Sequence, residues 1–188
     1  MLILKSASPR RKQILGNLKL QFKVDPSHVD ENALEAEIPL DYLKRVSIAK
    51  LDLKNANPDS LYIASDTIVV LDNQILGKPR NLMEGQEILS LLSGKTHSVY
   101  SGLAISKNSE VFYDFDETKV KFKVLTNAEI DRYLEDSKPF DKAGSYGIQD
   151  DGTPVIECIG SYTNVLGFPI RKFYKYFDLW KEYLHQNI

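Results

Sequence analysis

Residues 96–124 read THSVYSGLAISKNSEVFYDFDETKVKFKV, and this run decides the fold class. Near its end Val120, Phe122 and Val124 alternate with Lys119, Lys121 and Lys123. That period of two marks a strand with one face in the core and one in water. Two long strands are predicted, about 96–106 and 111–124, joined by a turn at Lys107-Asn108-Ser109. A hairpin of this length cannot belong to an all-parallel sheet, because its strands run in opposite directions. Helical patterns on both sides of it make the class mixed α/β, with a mixed sheet, flanking helices and two lobes around a central cleft.

Toward the N-terminus, residues 82–92 form an amphipathic helix stopped by Gly94. Leu61 to Ser65 is an apolar strand ending on the polar pair Asp66-Thr67. Ile68 to Leu71 continues extended, and Asp72-Asn73 turns the chain back through Ile75 and Leu76 to Gly77-Lys78-Pro79. Leu2 to Leu4 opens the chain as a short strand. Ser8 as N-cap and Pro9 at the first helical position then start a helix to about Asn17. Gln21 to Val24 reads as a strand, residues 25–38 as an acidic irregular stretch, and Pro39 as the start of a helix striped by Leu40, Leu43, Val46 and Leu51.

Toward the C-terminus, Thr126 with Glu129 makes a capping box for a helix to about Asp136. Residues 139–169 are rich in glycine and turns. A closing helix carries Phe173, Tyr174, Tyr176, Phe177 and Trp180, aromatics expected to pack in the core, with cover of a homodimer interface as the alternative.

The chain has 188 residues, enough for one domain over 1–188 with a buried core. Lys and Arg number 24 against 26 Asp and Glu, so no global basic field favours nucleic acid as a partner. No run approaches the roughly 18–20 apolar residues that span a membrane. The start, MLILKSASPRRKQIL, lacks the long apolar run and preceding charges of a signal peptide. A single cysteine, Cys158, forms no internal disulfide and suits a reducing compartment. The expected location is the cytoplasm.

Four segments carry candidate chemistry. SASPRR, Ser6 to Arg11, brings a strand to a helix start, where free N–H groups and the helix dipole attract anions. Arg10 and Arg11 add bidentate phosphate donors there, or else decorate a solvated helix face. In ASDT, Ala64 to Thr67, the Asp66 carboxylate could hold a divalent metal or take a proton from water. The competing reading is an Asp that bonds its own turn. Lys78, fixed between Gly77 and Pro79, and Lys50, on the helix after Pro39, are cations that could reach the same cleft or stay solvated, as could Glu31 in the acidic stretch. In DKAGSYGIQ, Asp141 to Gln149, glycines permit close backbone approach and the Gln149 amide suits a nucleobase edge, with tight packing around Tyr146 as the alternative. His28, His97 and His185 are scattered and make no zinc pattern with Cys158.

Five segments in order resemble the Maf family of nucleoside triphosphate pyrophosphatases, also called septum formation proteins: LKSASPRRKQIL, ASDTIVVLDNQILGKP, LLSGKTHSVYSGLAI, DKAGSYGIQ and GSYTNVLGFPI. They span residues 2–170. The resemblance implies a Maf/ITPase-like fold and hydrolysis of a nucleoside triphosphate between its α and β phosphates with a divalent cation, Mg²⁺, Mn²⁺ or Co²⁺. It makes Asp66 the proton acceptor and Arg10 and Arg11 phosphate ligands. Glu31, Lys50 and Lys78 fall on other charged active-site positions, with Glu31 and Asp66 as the metal pair. Ser8 and Lys142 join the substrate-binding set, while Arg10, Thr67 and Gln149 match positions that discriminate substrates.

KAGSYGIQ is similar to the branch that hydrolyses dTTP, UTP and modified pyrimidine nucleotides, a house-cleaning role. The alternatives are turnover of 7-methyl-GTP or non-standard purine triphosphates, or a non-catalytic nucleotide-binding regulator of cell division. Asp150 and Asp151 follow Gln149 where the family continues with Gly, and would either repel a triphosphate or decorate a loop tip. Many family members form homodimers.

Overall fold

The computed structural model describes residues 1–185. Seven strands form one mixed sheet: β1 (Leu2–Leu4), β2 (Phe22–Val24), β3 (Leu61–Leu71), β4 (Gln74–Leu76), β5 (Thr96–Lys107), β6 (Glu110–Phe122) and β7 (Val155–Ile159). Their order is β2-β1-β3-β5-β6-β7, with β4 paired to β3 off that path. β1 runs parallel to β2 and β3, whereas β3, β5, β6 and β7 alternate in direction. The hairpin that set the fold class is β5–β6, and its turn is Asn108-Ser109, both left-handed at φ 51° and 65°.

The helices are α1 (Pro9–Asn17), α2 (Pro39–Ala49), α3 (Leu82–Leu92), α4 (Asn127–Ser137), α5 (Tyr162–Val165), α6 (Ile170–Lys175) and α7 (Phe177–Trp180). α4 begins with the expected capping box, Thr126 accepting from Glu129 N–H and the Glu129 carboxylate accepting in return. Ser8 stands at the N-cap of α1, but its side chain caps nothing.

Residue alternation along the long strands divides one face of the sheet between two cores. On one face of β3, Leu61 and Ile63 join Leu103, Ile105, Phe168, Phe173 and Trp180 in one core. Val69 and Leu71, on the same face, join Val99, Val120, Phe122, Leu134 and Tyr146 in another. Ser65 and Thr67 lie between, level with Ser101 of β5. This polar waist is bonded largely within itself, with Asn164 Oδ1 left without a partner among the described residues. Thr67 pairs with Ser101 at 2.8 Å, Ser101 donates to Asn164 O at 2.8 Å, and Asn164 donates to Val99 O and Thr118 Oγ1. The opposite face of the sheet is covered by α2 through Leu43 and Val46, with Leu51 just beyond the helix.

Four expectations are corrected. β3 does not end at Asp66-Thr67 but continues unbroken to Leu71. Leu40, counted in the apolar stripe of α2, is exposed in the first turn. The glycine-rich stretch 139–169 contains β7 and α5. The closing helix is broken at Tyr176, because Trp180 folds back to stack on Phe173 at 4.6 Å and to donate to Phe173 O at 2.9 Å. Phe173 and Trp180 are buried as expected, whereas Tyr174 and Phe177 are exposed. No described helix is long and apolar enough to cross a membrane.

Candidate active site

β1 covers the edge of β3 only from Leu61 to Ile63, and β4 covers it only from Val69 to Leu71. Between them the edge at residues 64–68 has no strand beside it among the described residues. A cleft of about 470 Å³ opens there, and Asp66 and Thr67 reach it from opposite faces of the same strand. The carboxylate therefore meets the cleft because its neighbours stop, not because β3 does.

The cleft gathers every residue singled out from the sequence: Ser8, Arg10, Arg11, Glu31, Lys50, Asp66, Thr67, Lys78, Lys142 and Gln149. Lys50, at the C-cap of α2, is buried and places its ammonium 2.5 Å from Asp66 Oδ1 and 3.0 Å from Glu31 Oε1. Asp66 is buried too, while Glu31 is exposed on the segment between β2 and α2. Tyr42, near this pair, has its hydroxyl pushed up to about 12 by burial, with the Asp66 and Glu31 charges adding to the effect.

The basic residues are held in different ways. Arg11 is half-buried: Nε donates to Gly167 O at 2.8 Å, one terminal nitrogen to Ser6 Oγ at 3.1 Å and the other to Thr67 Oγ1 at 3.4 Å. Burial lowers its guanidinium below the usual 12.5, and the Asp66 charge opposes that shift. Arg11 is thus a strut across the polar waist as well as a cation in the cleft. Arg10 reaches across to Asp141 at 3.0 Å, and Lys142 pairs with the same carboxylate at 3.1 Å. Lys78 is exposed and makes no ion pair among the described residues. The first capping bond of α1 is Lys12 N–H to Ser8 O at 3.2 Å, so the Arg10 and Arg11 N–H groups are first-turn donors.

The glycine-rich loop is shaped by close approach. Gly144, left-handed at φ 71°, donates its N–H to Gly77 O at 3.0 Å and so joins the Lys78 turn to the Lys142 loop. A Cβ there would lie 2.8 Å from a Val69 methyl. At Gly147 a Cβ would meet the Asp150 carboxylate at 2.6 Å. Asp150 is consequently no loop-tip ornament: it accepts from Tyr133 OH at 2.7 Å and from the Gln149 amide at 2.9 Å. Asp151 beside it is exposed. The Gln149 side chain lies against Asp150, with its amide oxygen free of any bond among the described residues.

Asp66 and Glu31 are hard oxygen donors of the kind a divalent metal takes, although in this arrangement the Lys50 ammonium supplies their positive charge. No described cluster of three or more His, Cys, Asp or Glu exists, so such an ion would complete its shell with substrate oxygens and water. Sequence reasoning missed Lys5, a buried lysine lining the cleft and paired with Asp25 at 2.9 Å. A lysine directly after the apolar run Leu2–Leu4 was the available signal. It also missed Ser101 and Asn164, which orient Thr67 and are unremarkable serine and asparagine in the sequence.

A family model described as Maf-like protein matches residues 1–179. The dTTP/UTP pyrophosphatase of Leptospira interrogans serogroup Icterohaemorrhagiae serovar Lai is 51% identical over 187 residues, covering 100% of this chain and 99% of the relative. The dTTP/UTP pyrophosphatase of Thermosipho africanus is 44% identical, covering 91% of this chain and 88% of the relative. Among solved structures, a nucleoside-triphosphatase / dITP/XTP pyrophosphatase from Mycobacterium abscessus covers 96% of this chain and 94% of its own at 11% identity and a TM-score of 0.47, too loose a likeness to bear on function.

Proposed function

The chain belongs to the Maf-like protein family, and from that premise we propose that it hydrolyses dTTP and UTP, with modified pyrimidine nucleotides, between the α and β phosphates. The products are a nucleoside monophosphate and pyrophosphate, and the role is the cleaning of cytoplasmic nucleotide pools. Relatives bearing the name dTTP/UTP pyrophosphatase favour this reading over 7-methyl-GTP turnover and over a non-catalytic regulator of division.

What carries it is the convergence of Asp66 and Glu31 on Lys50 in a cleft also lined by Arg10, Arg11, Lys78 and Lys142. A triphosphate bears about four negative charges, and a local cationic pocket on a chain of net charge −2 selects it from solution. Arg10, Arg11, Lys78, Lys142 and the first-turn N–H groups of α1 are the proposed phosphate ligands, with Ser8 beside them. Thr67, braced by Ser101, and Gln149 are the proposed discriminating contacts.

In the reaction, a water oxygen bonds to the α phosphorus as the bond to the α–β bridging oxygen breaks, and pyrophosphate departs with that electron pair. Asp66 is the proposed proton acceptor for the water. What supports this is its buried place at the cleft and its fixed geometry, since Lys50 holds one carboxylate oxygen and leaves the other open among the described residues. Asp66 and Glu31 would hold Mg²⁺, Mn²⁺ or Co²⁺, which when bound neutralises charge on the departing pyrophosphate.

The test is pyrophosphate release from dTTP, UTP, CTP, dITP, GTP and 7-methyl-GTP with each cation, beside Asp66→Asn. Turnover of dTTP and UTP that the variant loses is expected. Turnover of 7-methyl-GTP alone would overturn the base assignment, and silence from folded protein that binds nucleotide would overturn the activity.

A further inference from the structure

Glu31 belongs to a stretch, residues 25–38, that contains no helix or strand. Its carboxylate nevertheless stands 3.0 Å from the Lys50 ammonium. An acidic side chain on irregular backbone keeps such a place only if the backbone under it is held. Here α2 holds it. Tyr42, in the first turns of α2, donates its hydroxyl to the Glu31 main-chain oxygen at 2.8 Å. Arg45, three residues on and therefore on the same helix face, donates from Nη2 to the Asn32 main-chain oxygen at 2.9 Å.

The same guanidinium grips Glu37 through Nε at 2.6 Å and Nη2 at 2.7 Å, and lies 5.5 Å from the centre of the Tyr42 ring. Glu37 in turn accepts the Leu34 N–H at 3.0 Å, which folds the segment onto itself. The end of α2 then delivers Lys50. One helix therefore fixes both partners of the Glu31–Lys50 pair, the lysine directly and the glutamate through Tyr42 and Arg45.

We propose that Arg45 and Tyr42 are positioning residues for Glu31: they act on the reaction by holding the Glu31–Asn32 backbone so that the Glu31 carboxylate stays on Lys50, the ammonium that also holds Asp66. The proposal rests on the reading that Glu31 serves pyrophosphate release. Neither residue lines the cleft or touches the space where substrate would lie. Arginine is required at 45 because only its planar fork takes a carboxylate through two nitrogens while also reaching a carbonyl. A displacement of about 1 Å at a group that must face the reacting atoms costs about 10²-fold in rate, so a modest slackening of this segment has a visible effect.

The experiment is a double-mutant cycle on the full chain with Mn²⁺ and dTTP, using Arg45→Met, Arg45→Lys, Tyr42→Phe and Glu31→Gln. Arg45→Met is expected to lower kcat/KM by about 10–100-fold, with a higher Mn²⁺ concentration for half-maximal turnover. Arg45→Lys should recover part of that loss, and Tyr42→Phe, which removes one hydrogen bond and keeps the ring, should give a smaller loss. In the Glu31→Gln background Arg45→Met should add less than about twofold, since the group it positions is already gone.

Amide hydrogen exchange over residues 30–37, measured without nucleotide or metal, should quicken in Arg45→Met and keep the wild-type rate in Glu31→Gln. Equal losses in both backgrounds, or unchanged exchange in Arg45→Met, overturns the positioning role. Wild-type protein silent on every nucleotide overturns the activity itself, whereas active wild type with an unimpaired Arg45→Met variant overturns only the inference.

Discussion

The Lys50 ammonium lies 2.5 Å from Asp66 Oδ1, and both side chains are nine-tenths buried. Glu31 pairs with the same ammonium at 3.0 Å. The two possible losses from this trio are unequal. Asp66→Asn removes the proposed proton acceptor but leaves Lys50 neutralised by Glu31, so turnover should fall by about 10²–10⁴ with the melting temperature little changed. Lys50→Met leaves the buried Asp66 carboxylate without its counter-ion and should cost about 3–5 kcal/mol of stability. Added Mn²⁺ should restore part of that loss, and thermal melts with and without the cation measure it. A Lys50→Met protein indifferent to Mn²⁺ would argue that Asp66 and Glu31 bind no metal by themselves.

Arg11 spans the polar waist to Gly167, Ser6 and Thr67. A lysine cannot satisfy three acceptors in three directions from one nitrogen. Arg11→Lys is expected to lose about 2 kcal/mol in urea denaturation, because the Gly167 carbonyl loses a charged donor. The KM for dTTP should rise as Thr67 loses its brace. Lowered stability with an unchanged KM would leave Arg11 a strut without a part in substrate binding.

Asp150 bonds Tyr133 and Gln149, while Lys142 is 3.8 Å away. Burial pushes the Tyr133 hydroxyl well above its ordinary value, so it stays a neutral donor that needs its acceptor. Asp150→Ala should therefore cost about 1–3 kcal/mol and free the Gln149 amide. The expected kinetic signature is a changed ratio of dTTP to UTP turnover, read from competition between the two. If the ratio and the stability both hold, Asp150 has no hold on the Gln149 loop.

The long hairpin and the capping box at Thr126 are legible because each rests on local spacing that tertiary structure leaves intact, whereas Lys142 enters the cationic set only through the family resemblance. Asp66 lines the cleft for a reason that its local sequence does not show. Its polar pair reads as a strand end, yet β3 runs on, since the polarity there serves the cleft edge on one face and the Thr67–Ser101 waist on the other. β7 escaped notice because an edge strand with four of its five residues exposed needs no apolar alternation. The break at Tyr176 is equally invisible in sequence: it exists so that Trp180 can stack on Phe173, a contact no local pattern encodes. The roles of Tyr42 and Arg45 were hidden for the same reason, as they hold a loop by its carbonyls.

His97 gives the protein a dependence on pH unrelated to the cleft's charges. It is buried between Phe122 and Tyr146, with Nε2 2.7 Å from the Tyr146 hydroxyl and Nδ1 unpartnered. Burial lowers its pKa from 6.5 to about 4. Above pH 7 the ring is neutral in folded and unfolded chains alike, and it adds no pH dependence. As pH falls below 6.5 the unfolded chain binds a proton that the folded chain refuses, so stability drops until pH reaches about 4 and then levels off. The loss between pH 7 and pH 5 is about 2 kcal/mol. Glu37 and Glu129, both held down to about 2 by ion-paired hydrogen bonds, weaken the fold only below pH 4.5, so this window isolates the histidine. Urea denaturation at pH 7, 6 and 5 should show that slope in the wild type and a nearly flat line in His97→Gln, whose amide can still meet the Tyr146 hydroxyl. Equal slopes in the two proteins would mean that the His97 ring takes up its proton in the folded state as readily as in water.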